Sequence, residues 1–173
     1  MEFAVNKVEL FAGSVYELAD DSIKHNRVIG NSIMALSPLA QQLGCELFAM
    51  SVALKIDQTT AYYPDVFVTG EDDDESDMFC TKPRLIIEVL SPLTAGTDRR
   101  EKRVAYQRIS SMKDYLIVDP KAHTVDQLRR ENTETWGWTV RTAGEVCAGT
   151  CLGNLAIDDL FIGLSPAEAE RQF

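Results

Sequence analysis

Between residues 23 and 43 the apolar side chains Ile23, Val28, Ile29, Ile33, Met34, Leu36, Leu39 and Leu43 recur near helical spacing, and Gly44 follows as a stop. The pattern predicts one long helix, with Pro38 inside it as a source of a kink. On either side the period shortens to two. A weak strand is expected over residues 5–11, and clearer ones over 45–56, 62–69 and 85–90. Helical spacing returns over 98–109, where Asp98 reads as an N-cap and Glu101 as its capping-box partner. Further strands are expected over 114–118, around 124–130 and over 136–143, before a polar-to-apolar tail that includes 152–160. Helix, meander, helix and strands in that order predict an α/β domain on a mixed central sheet.

Two of these strand segments carry an acid. Tyr62-Tyr63-Pro64-Asp65-Val66-Phe67-Val68 and Arg84-Leu85-Ile86-Ile87-Glu88-Val89-Leu90 are short β-branched runs bounded by turn residues, the pattern of strands buried on both faces. A carboxylate inside such a run costs several kcal/mol to desolvate if unpaired, on the order given by buried charges generally. Asp65 and Glu88 therefore call for a cation, and a magnesium-type site meets the need most simply. Two residues beyond Glu88 on the same strand face stands Leu90, where a lysine would best stabilise an attacking hydroxide. The following helix offers a substitute, because Asp98, Lys102 and Tyr106 lie at i, i+4 and i+8 on one face.

Each residue also has a plain structural reading. Asp65 can accept turn hydrogen bonds, and Glu88 can form a buried ion pair with Lys102 or Arg84. Asp98 reads more readily as a cap than as a ligand, Tyr106 as core with a satisfied hydroxyl, and His25 as either a helix-start residue or a rim residue. Trp136 and Trp138 alternate within a strand, and packing under a sheet is the expectation over stacking on bases.

The net charge of −10 argues against a nucleic-acid partner until its distribution is considered. Six acids fall between Glu71 and Asp77, a solvated loop by composition, which leaves 17 basic against 21 acidic side chains elsewhere. Arg99, Arg100, Lys102, Arg103 and Arg108 cluster with Glu101 and the adjoining Asp98 as the only acids, so a local phosphate-attracting face is expected at Arg99, Arg100 and Arg103. The 173 residues suit a single domain over 1–173. No apolar run is long enough to span a bilayer and no signal peptide is evident, so a cytoplasmic protein without membrane contact is expected. Cys147 and Cys151 could be half of a zinc site, but His25 and His123 are distant, and four small thiols in a reducing compartment is the preferred reading.

The ordered set Pro64-Asp65, Glu88-Val89-Leu90-Ser91-Pro92-Leu93-Thr94, Asp98, Lys102, Tyr106 and Asp114-Tyr115-Leu116-Ile117-Val118-Asp119-Pro120 resembles the signature of the Uma family, a branch of the PD-(D/E)xK nuclease superfamily. The resemblance covers residues 23–120 and includes His25-Asn26-Arg27, similar to the family's helix-opening histidine motif. It implies a restriction-endonuclease-like mixed central β-sheet flanked by helices. It implies Asp65, Glu88 and the Val89 carbonyl as ligands of Mg2+ or Mn2+, Lys102 as a catalytic lysine displaced onto the helix, and His25, Asp98 and Tyr106 as accessory residues. It also implies a metal-dependent endonuclease acting on DNA as a homodimer. The family's N-terminal glutamate has three competitors here, Glu2, Glu9 and Glu17, with no Asn-Gly or Asp-Gly turn to choose among them. The alternative function is a catalytically silent nuclease-fold module that binds nucleic acid or protein.

Overall fold

The alternation read from the sequence becomes a six-stranded sheet with a helix on one face and a smaller sheet and helix on the other. The computed structural model describes residues 8–17, 22–70, 78–91, 96 and 98–165, without the side chains of 16, 17, 98, 99 and 148; the acidic run 71–77 lies outside. In chain order the elements are β1 (Val8–Phe11), β2 (Ser14–Glu17), α1 (Ile23–Gln42), β3 (Glu46–Ala49), β4 (Ala53–Lys55), β5 (Ala61–Tyr62), β6 (Val66–Thr69) and β7 (Phe79–Cys80). There follow β8 (Pro83–Val89), a π-helical turn (Asp98–Lys102) running into α2 (Arg103–Gln107), β9 (Asp114–Asp119), β10 (Thr124–Arg130), β11 (Trp136–Thr142), β12 (Val146–Thr150), β13 (Gly153–Ala156) and α3 (Ile157–Leu160). The large sheet has the order β11-β10-β9-β8-β6-β3, with β8 and β9 parallel and the other pairs antiparallel. The smaller sheet has the order β2-β1-β5-β4-β7.

Period-two patterning sorts the large sheet into two cores. Leu85, Ile87 and Val89 of β8, with Leu116 and Val118 of β9, face α1 and pack on its Val28, Ile29, Leu36 and Ala40. Ile86 and Leu90, with Tyr115 and Ile117, face the opposite way, toward Ala105 and Tyr106 of α2 and Leu54 and Tyr62 of the small sheet. Glu88 lies between Ile86 and Leu90 and so belongs to this second, aromatic-rich face. Helix α1 starts at Ser22, whose side chain accepts the His25 amide N–H, and ends in a Schellman motif. There Gly44 takes φ +64 and Cys45 N–H bonds back to Ala40 C=O. Pro38 is accommodated within a continuous helix.

Two expected strands are each divided. The 45–56 and 62–69 segments form a single bent hairpin: its base, β3 with β6, belongs to the large sheet, and its tip, β4 with β5, belongs to the small one. Met50, at φ +56, turns the outgoing strand, and its N–H reaches the carbonyls of Pro64 and Asp65 on the returning one. Propensity reports extended backbone at such a corner but carries no signal for the change of sheet. The expected 98–109 helix is also altered, since its first turn is π-helical and Lys102, at the start of α2, has no side-chain cap. The tail expected to run from polar to apolar forms the β12–β13 hairpin and α3.

Asp114 opens β9 with its carboxylate fully buried, and Oδ2 accepts the Cys151 N–H at 2.7 Å, tying the β12–β13 turn to the sheet. Burial raises its pKa above the ordinary 3.8 against the lowering effect of that hydrogen bond. The folded chain then holds a proton that the unfolded chain has released, so stability falls as pH rises from 3.8 through the raised midpoint. Relative to wild type, Asp114→Asn should gain stability across that window and level off above it. Urea melts over a pH series check this; a pH-independent difference would mean that Asp114 titrates normally.

Candidate functional site

The hairpin's corner and strand β8 bring the two predicted carboxylates onto neighbouring strands. Val66 pairs with Ile87 in antiparallel register, so Asp65 and Glu88 are the next residues on the two strands at the same end of that pair. Asp65 Oδ2 accepts the Val89 N–H at 2.7 Å, and the His25 Nε2 atom lies 3.4 Å from the same oxygen. His25 is buried on the first turn of α1 and thus touches the corner directly. The structure places His25 at the helix start, buried beside Asp65.

Across the sheet face the second acid meets the helix. Lys102 Nζ lies 3.2 Å from Glu88 Oε1, and the Tyr106 hydroxyl donates to the same oxygen at 2.7 Å. The i, i+4 spacing of Lys102 and Tyr106 places both on the sheet-facing side. A third carboxylate joins them: Glu9 Oε1 is 3.2 Å from Lys102 Nζ and accepts the Tyr63 N–H at 3.0 Å. Lys102 and Glu88 are 4 % and 2 % exposed, so this is a cation held between two acids away from water. The ring of Tyr62 adds a face 5.5 Å from the ammonium and meets Tyr106 edge-on at 5.7 Å. Burial and the Glu88 charge push the Tyr106 phenol well above its ordinary range, so it remains a donor to Glu88 at any physiological pH.

Glu9 is the residue that the sequence left open. Of its competitors, Glu2 and the Glu17 side chain lie outside the described residues. The missing signal has a physical cause: the β1–β2 turn uses Ala12 and Gly13, both at positive φ (48 and 80), so it has the geometry of an Asn-Gly hairpin turn without its residues. Leu90, where a strand lysine would stand, is instead packed in the aromatic core.

The basic cluster divides in several directions. Lys102 points into the site, Arg100 is exposed, and Arg108 approaches Asp57 at 3.9 Å near the surface. The side chains of Asp98 and Arg99 lie outside the described residues. Trp136 packs at the margin of the aromatic core, as expected, but Trp138 does not: it is 60 % exposed, with the Arg103 guanidinium 5.5 Å over its ring. It sits on β11, at the edge of the large sheet.

The site's donors are hard carboxylate oxygens, the chemistry that Mg2+ and Mn2+ prefer. Among the described residues no hydrogen bond or ion pair reaches Asp65 Oδ1, and none of His, Cys, Asp and Glu gather in threes as a ready-made cage. Magnesium commonly takes one or two carboxylates and completes its shell with water and phosphate, so the residues present fit such an ion. All four cysteines are free thiols, and burial pushes Cys147 and Cys151 up to about 12. No helix among the described residues is long and apolar enough to cross a membrane.

The chain is similar to known proteins in sequence and in fold. Two relatives come from Synechocystis sp. (strain ATCC 27184 / PCC 6803 / Kazusa). The uncharacterized protein sll1609 is 34% identical over 142 residues, covering 78% of each chain. The uncharacterized protein slr1290 is 28% identical over 165 residues, covering 92% of this chain and 85% of its own. Among solved structures, a "putative nuclease belonging to DUF820" from Anabaena variabilis ATCC 29413 superposes with a TM-score of 0.76 at 17% identity, covering 95% of both chains, which establishes the restriction-endonuclease-like fold. Residues 3–155 match the family described as "Uma2: Putative restriction endonuclease", and the chain belongs to that family.

Proposed function

We propose that the protein is a metal-dependent endonuclease that hydrolyses phosphodiester bonds in DNA. The observation that carries this reading is the ammonium of Lys102 held 3.2 Å from both Glu88 and Glu9, beside the Asp65–Val89 contact, in a nuclease-family fold. Asp65, Glu88 and the Val89 carbonyl are the ligands of Mg2+ or Mn2+ in this proposal. When bound, the ion supplies Lewis acidity toward the phosphate and its attacking water. Lys102 brings a second positive charge that opposes the negative charge building on the phosphoryl oxygens. Tyr106 fixes Glu88 in place by donating to Oε1, and His25 orients Asp65 from α1. The proposal includes a homodimer, since two copies of the site would address both strands of a duplex.

Two carboxylates facing one ion should couple metal to stability. Millimolar Mn2+ is expected to raise the melting temperature of the wild type and to leave Glu88→Ala unmoved. No shift in the wild type, or an equal shift in the variant, would remove the metal site and leave a silent nuclease-fold module as the better reading.

Binding to DNA is expected to be weak and steeply salt-dependent, through Arg99, Arg100 and Arg103. Replacing Arg100 and Arg103 by Gln should flatten the slope of log affinity against log salt by about 0.9 for every phosphate that the variant no longer neutralises. Fluorescence anisotropy in Ca2+ measures this, and an unchanged slope would exclude these arginines from the phosphate-binding face.

A further inference from the structure

Two tryptophan–arginine pairs stand two residues apart on β11, and they differ in one respect. In the first, Arg130 lies 4.6 Å over Trp136 and is saturated: Nε donates to Met112 C=O, Nη1 to Thr133 C=O, and Nη2 to the carbonyls of Gln107 and Ile109. That arginine is a structural clamp, satisfying carbonyls around the C-terminal end of α2. In the second, Arg103 lies over Trp138, yet among the described residues its guanidinium makes no hydrogen bond or ion pair. Its five donors are unspent, and its ring partner is 60 % exposed.

The register places this open pair on the catalytic face. Trp138 pairs with Leu128, Leu128 with Tyr115 and Tyr115 with Ile86, so Trp138 lies in the row next to Glu88 on the same side of the sheet. Three strand spacings and one two-residue step separate them, roughly 16 Å, the length of a few nucleotides. Arg103 is also the residue after Lys102, so one short helix serves both places.

The geometry points to Trp138 and Arg103 as a stacking platform for an unpaired base of a single-stranded nucleic-acid segment that continues from the phosphate at the Asp65–Glu88–Lys102 site. The inference rests on the nuclease reading and extends it to the shape of the substrate. An aromatic face accepts any base, and a guanidinium with free donors beside it accepts the adjoining phosphate. A second copy of the chain is the less suitable occupant. An isologous contact through this edge would bring two such unneutralised arginines together.

The chain has two tryptophans, and Trp136 is half-buried under Arg130, so emission from Trp138 can be followed by difference. The probes are a short oligothymidylate and an abasic oligomer of equal length, both with Ca2+ in place of a catalytic metal. Oligothymidylate is expected to quench the wild type and to bind about tenfold more tightly than the abasic strand. Trp138→Ala should lose the quench and that tenfold preference, while Trp138→Phe keeps the preference. Equal binding of both probes by the wild type, or an unchanged preference in Trp138→Ala, would overturn the platform and leave the nuclease reading intact. Failure of the wild type to bind either probe, even at low salt, would overturn both. A dimer in sedimentation that Trp138→Ala converts to monomer would assign the surface to a second copy and overturn the platform.

Discussion

Lys102→Ala is expected to lower cleavage of plasmid DNA in Mn2+ by roughly 10²-fold or more, the usual loss when one preorganised electrostatic stabiliser is removed. The same substitution leaves Glu9 and Glu88 buried without the cation between them. The metal-free variant should therefore be less stable than the wild type and gain more from Mn2+, because the ion then relieves a repulsion that Lys102 had relieved before. Leu90→Lys in that background supplies an ammonium from the end of β8, two residues from Glu88 on the same face, and partial recovery of cleavage would place both lysines at one position. Wild-type cleavage by Lys102→Ala would reduce Lys102 to a structural counterion and remove its catalytic role.

The second large effect is on the fold itself. Glu88→Ala takes an acceptor from the buried Lys102 and from the Tyr106 hydroxyl, and should destabilise the metal-free protein by about 3 kcal/mol or more, as when one member of a buried pair is removed. Glu88→Gln preserves the shape and an acceptor for Tyr106, so its cost should be clearly smaller. Urea unfolding of the three proteins at neutral pH measures the difference. A cost for Glu88→Ala under about 1 kcal/mol, the scale of an exposed pair, would contradict the buried network.

Much of this site was legible in the chain because the laws involved are local. Period two placed Glu88 opposite Val89, and i, i+4 spacing aligned Lys102 with Tyr106 on the side that meets Glu88. Those relations survive any tertiary arrangement. What escaped depends on partners distant in sequence. The corner at Met50 and Pro64 exists because two sheets share one hairpin, and each half reads as an ordinary strand. Glu9 was indistinct because Ala12 adopts a backbone region that sequence statistics assign to Asn or Asp. Trp138 was expected under a layer. The structure instead leaves it 60 % exposed on the edge strand β11 beneath the Arg103 guanidinium of α2, a tertiary outcome that alternation does not encode.

The attachment of β1 bears on how the site breathes. Among the described residues this strand meets the rest of the small sheet through one register pair, Leu10 with Ala61, supported by the Gly13–Thr59 backbone bond and by Glu9 on Tyr63 N–H. The strands that carry Asp65 and Glu88 are instead laddered on both sides within the large sheet. Amide exchange should therefore proceed by different openings in the two parts, with the β1–β2 ribbon detaching at a fraction of the free energy needed to open β6 and β8. One of the three acids is thus mounted on the more easily released segment, so the charge around Lys102 can change while the sheet beneath it stays folded.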